Sequence, residues 1–318
     1  MIKVVLLIIL LLALRAWKPA RAAHASHMDA AMYARPERWV YSLEELPRVR
    51  FDIPYAGEHS THEQILHIAY PDAGEGPFPL AIFIHGGGWS RNNSSGHQIL
   101  YTGNACLDAR ARGYAVAFVD YRLDLPQVMP HQLYDVKSAI RFLKANAAQY
   151  ALRADEFVLI GDSAGAHLAN LAALTADQAE FEEPNRAHPQ LSCDVRAVVS
   201  WHAINDFSSD MSELLGWFYG LDSAQLTVED IERLSRRCSP VHNVRPGNAP
   251  PFYLQHGLID SETPYTQSCD LYNALVMKAP HPLHKLELFP GMEHAVMWFF
   301  SHENMKNILD WMDRVLGR

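Results

Sequence analysis

The chain has 318 residues, 49% hydrophobic and 20% charged, an ordinary globular composition able to bury a large core without metal or disulfide staples. Its formal net charge of −9 argues against a nucleic-acid partner, which would need a basic patch or stripe. No internal repeat or low-complexity tract interrupts it, so one large α/β domain is the expectation.

The first segment stands apart. Lys3 precedes an unbroken apolar run from Val4 to Leu14, followed by Arg15, Lys18 and Arg21, and Ala20-Arg21-Ala22 and Ala23-His24-Ala25 both fit a small-residue cleavage pattern. This is the plan of a secretory signal peptide over residues 1–25, and the run falls short of the roughly 20 residues that span a bilayer. The expectation is a protein exported to the periplasm or beyond, its leader removed, with a single domain over residues 26–318. The charges after the apolar core keep open the alternative of an uncleaved membrane anchor. The four cysteines, Cys106, Cys193, Cys238 and Cys269, form no C-x-x-C pair. They suggest no zinc or redox motif and leave both disulfides and buried thiols open.

From Gln64 onward, short apolar runs alternate with helical stretches. Strands are predicted at Gln64–Tyr70, Leu80–Ile84, Tyr114–Val119, Glu156–Ile160, Val195–Trp201, Pro251–Gln255 and Lys285–Phe289. Uninterrupted apolar strands are what a parallel sheet covered on both faces requires. Helices are predicted at Gln132–Ala148, Ala164–Thr175, Gln267–Met277 and Glu303–Leu316. The first places Leu133, Val136, Ile140 and Leu143 on one stripe. This alternation predicts a doubly wound α/β fold, a mostly parallel sheet with helices on both faces. Residues 206–248 break the rhythm. Met211–Tyr219 reads as an aromatic helix and Thr227–Asp230 as a capped helix start, so the stretch is read as a small helical cap insertion over the sheet, the alternative being a solvent-facing connection. Segment 27–60, with Trp39, Tyr41 and Phe51, is expected to pack over the same site.

Three motifs carry chemistry. Gly161-Asp162-Ser163-Ala164-Gly165 follows an apolar strand and opens a helix of small residues, the context a G-x-S-x-G nucleophile turn needs. The turn lifts the Ser163 hydroxyl out of the sheet at a helix N-terminus, where developing negative charge is favoured. His85-Gly86-Gly87-Gly88-Trp89 follows an earlier strand. Glycines there let backbone N–H groups approach a tetrahedral intermediate, with the N–H of Ala164, the residue after the nucleophile, as the partner donor. A serine nucleophile needs a histidine base and a carboxylate to orient it, in the chain order Ser, acid, His. Of 17 histidines, His294 lies just past a late strand, where ligands gather in open α/β sheets. Asp260 leaves the preceding strand at the same edge, with Glu262 as its competitor.

Together, His85-Gly86-Gly87-Gly88-Trp89, Asp120-Tyr121-Arg122-Leu123, Gly161–Leu168, His256-Gly257-Leu258-Ile259-Asp260 with Pro264, and Gly291-Met292-Glu293-His294 resemble the hormone-sensitive-lipase-like esterases, in particular the bifunctional feruloyl/acetyl esterases. The resemblance implies an α/β-hydrolase fold, a catalytic set of Ser163, Asp260 and His294, and Gly87, Gly88 and Ala164 as oxyanion donors. It further implies small acyl esters as substrates, no metal or organic cofactor, and structural roles for Asp120, Tyr121, Arg122 and Asp135. One departure matters. The turn continues Ser163-Ala164-Gly165-Ala166-His167, a pattern also found in arylformamidases, so amide against ester remains open, as does a noncatalytic hydrolase-like binding module. The partner expected is a small-molecule ester, with oligomeric state unspecified. His62 and His67 are five apart and share no helix face, which removes a zinc-protease reading. Asn92 and Asn93 begin overlapping glycosylation sequons.

Overall fold

The structure is a computed structural model that describes residues 43–90, 98–123, 125–184, 186–207 and 212–318. The leader, Trp39, Tyr41 and the sequons at Asn92 and Asn93 lie outside these residues. The elements are β1 (Val49–Pro54), β2 (Ile65–Ala69), β3 (Phe78–Ile84), α1 (Gln98–Ala111), β4 (Ala115–Val119), α2 (His131–Ala145), β5 (Leu152–Asp162) and α3 (Ala164–Leu174). They continue with β6 (Ala197–Trp201), α4 (Ser212–Tyr219), α5 (Val228–Cys238), β7 (Phe252–Gly257), α6 (Thr266–Lys278), β8 (Lys285–Phe289) and α7 (His302–Leu316).

Eight strands form one sheet in the order β1-β2-β4-β3-β5-β6-β7-β8. β2 runs antiparallel to both β1 and β4, and every later neighbour is parallel. The central strands are mostly apolar, and β3, β4 and β6 are buried along their whole length, because helices cover both faces. Successive residues of β6 show it. Ser200 Oγ accepts from Asn170 Nδ2 on α3 at 2.9 Å. Trp201 turns the other way, onto the Phe300 ring and onto Gln255, which bonds Asn304 of α7. The predicted stripe of α2 is buried throughout, each large aliphatic contributing about 1.5–3 kcal/mol of transfer free energy.

Two elements escaped the periodicity. β1 is an edge strand with charged residues on its exposed positions, and α1 does not segregate its polar and apolar residues onto separate faces. β5 starts four residues earlier than predicted. Its first half alternates polar and apolar residues, and Leu152 already pairs with Phe78. Phe51 corrects one expectation: it sits exposed on β1, at the far edge of the sheet, edge-on to His67, and packs over no site. All four cysteines are free thiols, three of them buried.

The insertion contains the two predicted helices. Thr227 and Asp230 form a reciprocal capping box on α5. Phe218 of α4 is buried edge-on against Trp89, with centroids 4.6 Å apart, and its carbonyl accepts from Met129 N. α4 is thus packed on the glycine-rich loop rather than facing solvent.

Candidate active site

Parallel register brings the chemistry to one edge. Ile84 pairs with Gly161, Asp162 with Trp201, and Gly257 with Phe289. The segments carrying Gly86–Gly88, Ser163, His202, Asp260 and His294 therefore all leave the sheet at its carboxyl rim.

Ser163 sits between β5 and α3 with φ 51° and ψ −120°, a left-handed conformation that strains a residue with a Cβ. Neighbouring backbone enforces it. Ser163 N–H donates to Trp201 O at 2.9 Å. A Cβ on Gly161 would lie 2.6 Å from Ala166 Cα, and one on Gly165 would lie 2.1 Å from Ile84 O. Both glycines of the motif are thus required by close approach. The elbow presents Ser163 Oγ to His294 Nε2 at 3.0 Å, and His294 Nδ1 meets Asp260 Oδ2 at 2.7 Å. An ionised carboxylate only accepts, so Nδ1 carries the proton and Nε2 is the free base facing the hydroxyl.

Asp260 is held rigidly. Its side chain is fully buried, and Oδ1 accepts the N–H groups of Glu262 and Thr263 at 2.9 and 2.7 Å. Burial works against its charge, but hydrogen bonds from His256 and His294, with the Thr263 amide, hold its carboxyl well below the ordinary range. Burial alone would lower the basicity of His294. The Asp260 hydrogen bond and charge, with Glu262 and Asp162 beyond, reverse that and raise it above 6.5. Glu262 is not the orienting acid. Its exposed carboxylate lies 3.9 Å from Nε2, the nitrogen opposite Asp260.

The glycine loop is fixed from below. Gly86 N–H donates to Asp162 Oδ1 at 2.9 Å, and a Cβ on Gly86 would meet Asp162 Oδ2 at 2.5 Å. Burial raises the Asp162 carboxyl to about 6, tempered by that amide and by His294. Gly87 and Gly88 have φ 102° and 61°. Among the described residues, no protein acceptor takes the N–H of Gly87, Gly88 or Ala164, which leaves them free for an oxyanion. Trp89 anchors the far end: its indole N–H donates to His167 Nδ1 at 3.2 Å, and its carbonyl accepts from Gln132 at 2.9 Å. His167 in turn donates through Nε2 to Cys238 O at 2.7 Å. The residue that suggested an arylformamidase is therefore a buried strut between the loop and the insertion.

The residues with structural roles form their own net. Asp135 pairs with Arg122 and accepts from Gln64, while the Tyr121 hydroxyl bonds His85 O. Two site residues were missed by sequence reasoning. His202, just after β6, has φ 40° and is fully buried, with its ring 4.4 Å from that of His294 and neither ring nitrogen partnered among the described residues. No motif marked it. The other is His256, whose Nε2 lies 3.2 Å from Asp260 Oδ2. Its spacing of four residues before the acid was visible, but its contact was not.

The sequence model of the BD-FAE family matches residues 66–275, more than half of the chain. The chain belongs to the BD-FAE family. Esterase LipC of Mycobacterium tuberculosis is 29% identical over 223 residues, 69% of this chain and 53% of LipC. The chain thus spans about half the length of that relative. A bifunctional GH43-CE protein of Bacteroides eggerthii superposes with TM-score 0.72 at 27% identity, over 84% of this chain and 38% of that one. A truncated carbohydrate esterase from gut microbiota gives TM-score 0.72 at 22% identity, over 90% and 100% of the two chains, a likeness of fold. The BD-FAE chain described here has the α/β-hydrolase fold: a mostly parallel eight-stranded sheet carrying its nucleophile turn after β5.

Proposed function

We propose that the protein is a serine carboxylesterase that cleaves small acyl esters through an acyl-enzyme on Ser163. The observation that carries this is the unbroken line from Ser163 Oγ to His294 to Asp260, at 3.0 and 2.7 Å, beside the free amides of Gly87, Gly88 and Ala164. In the reaction, His294 Nε2 takes the Ser163 proton as Oγ attacks the ester carbonyl. The carbonyl oxygen becomes an oxyanion received by the loop amides and Ala164 N–H, a contribution of several kcal/mol at a preorganised site. Nε2 then protonates the departing alcohol, and water, activated by the same nitrogen, releases the acid. Asp260 keeps its negative charge throughout and stabilises the imidazolium.

An ester is favoured over a formamide because His167, the residue shared with arylformamidases, is fully committed to Trp89 and Cys238. The similarity to Esterase LipC supports the same choice, and the similarity to a carbohydrate esterase makes carbohydrate esters the first substrates to try. Ser163→Ala should abolish turnover of p-nitrophenyl butyrate while leaving the circular dichroism spectrum unchanged, and retained turnover would overturn the proposal. Parallel rates on an aryl formamide test the amide reading. The proposal includes export, supported by the Lys3–Leu14 pattern alone. Fractionation of a host expressing the full chain, with N-terminal sequencing, tests it.

A further inference from the structure

The buried carboxylate of the site serves two imidazoles. Asp260 Oδ2 lies 2.7 Å from His294 Nδ1 and 3.2 Å from His256 Nε2, and the side chains of Asp260 and His256 are both fully buried. His256 is the penultimate residue of β7, and the chain turns back so that Asp260, four residues on, lies against its ring.

The proton on His256 can be placed from its neighbours. Nε2 is also 2.8 Å from Thr263 O. A carbonyl oxygen and an ionised carboxylate both only accept, so Nε2 must carry hydrogen. Nδ1, 2.8 Å from Ser268 Oγ, then accepts from that hydroxyl. The Nε2 hydrogen serves Thr263 O first, with Asp260 Oδ2 the longer contact at 3.2 Å. Asp260 thus accepts the Glu262 and Thr263 amides on Oδ1 and His294 Nδ1–H on Oδ2, with His256 Nε2–H as a fourth, longer neighbour of Oδ2. Its carboxyl group cannot rotate without breaking several of them at once. The amides alone would fix Oδ1. His256 Nε2 lies 3.2 Å from Oδ2, the same oxygen that meets His294 Nδ1, and so bears on where that oxygen points.

We propose that His256 is a positioning residue for the reaction: its Nε2–H shares Asp260 Oδ2 with His294 and holds that oxygen on the His294 Nδ1–H. This rests on the esterase reading above. The sharing has a chemical consequence. A carboxylate oxygen with two imidazole donors has less of its charge to offer each. Removing the His256 donor leaves Oδ2 to His294 alone, which binds its second proton more tightly, even as the carboxyl group loses its fixed orientation. The other groups facing His294 are Glu262, Asp162 and the buried His202. Among the described residues, the titratable groups facing His256 are Asp260 and His202. All of these stay in place in the variants that follow.

Two polar substitutions separate positioning from bulk. In His256→Gln the side-chain amide N–H reaches where Nε2–H was. In His256→Asn the shorter amide stays near Ser268 and cannot reach Asp260. The readouts are kcat and KM on p-nitrophenyl acetate across pH, the rate of Ser163 labelling by a fluorophosphonate, and the melting temperature. For His256→Asn the expected result is a kcat lower by about tenfold or more, the scale set by a small misplacement of a catalytic group, with KM nearly unchanged. The acid limb of its kcat/KM profile should move to higher pH, and labelling should slow in parallel. His256→Gln should restore most of kcat and return the limb to its wild-type position. The proposal is overturned if both variants keep wild-type kcat and labelling rate. It is equally overturned if both lose activity to the same extent in step with melting temperature, since that is the mark of a buried polar residue that only supports the fold. A wild-type chain that fluorophosphonate fails to label would overturn the esterase reading, and this proposal with it.

Discussion

Replacing Ser163 by glycine should make the protein more stable than replacing it by alanine, although both variants are expected to be inactive. The native φ of 51° and ψ of −120° are accessible to glycine without penalty, whereas a Cβ in such a conformation costs about 1–3 kcal/mol. Both substitutions remove the hydroxyl and its 3.0 Å contact with His294, so that loss cancels in the comparison. Against the relief stands the greater freedom of glycine in the unfolded chain, about 0.5–1 kcal/mol. The net advantage of Ser163→Gly over Ser163→Ala is therefore about 1 kcal/mol, with extremes of about 0 and 2.5 kcal/mol, up to a few degrees in melting temperature for a chain of this size. Urea unfolding of the two variants, with equal m-values, measures it directly. A glycine variant no more stable than the alanine variant would refute the claim that the nucleophile turn stores strain.

Three further outcomes follow from the same geometry. Glu262→Gln removes a carboxylate 3.9 Å from His294 Nε2 that helps raise its basicity. The base works only when neutral, so the acid limb of kcat/KM should move to lower pH, less so at high salt, and an unmoved limb at low salt would contradict this. Gly165→Ala places a Cβ 2.1 Å from Ile84 O and 2.3 Å from His85 O. The end of β3 and the glycine loop must shift, so both stability (by more than about 2 kcal/mol) and kcat should fall, and a wild-type kcat would refute it. His202→Phe keeps a ring beside His294 and removes two buried, unpartnered nitrogens, each costing about 1–3 kcal/mol. Urea unfolding should show a more stable protein that still turns over ester, and a less stable one would show that the imidazole is satisfied in solution.

How much of this was legible in the sequence depends on the range of the interaction. The parallel strands could be read because burial on both faces leaves an apolar run as its mark, and Leu80–Ile84 and Tyr114–Val119 are such runs. β1 could not, because an edge strand with Arg50 and Asp52 on its open positions has no such pattern. Ser163 was readable because a strained turn demands glycines at fixed spacing, and Thr227 because a helix cap is settled within four residues. Asp260 and His294 were chosen by their distance past a strand end, a local property that becomes spatial only through sheet register.

Sequence alone therefore determined the fold class and pointed to the proposed nucleophile and the order of the proposed catalytic groups, since each rests on constraints acting within a few residues along the chain. Tertiary structure alone decided what surrounds them: Glu262 beside Nε2 rather than Nδ1, Asp162 under Gly86, His167 as a strut to the insertion, and His202 and His256 gathered around His294 and Asp260. These contacts join residues on different strands, and the distance between such residues is fixed by packing, which no spacing in the chain encodes.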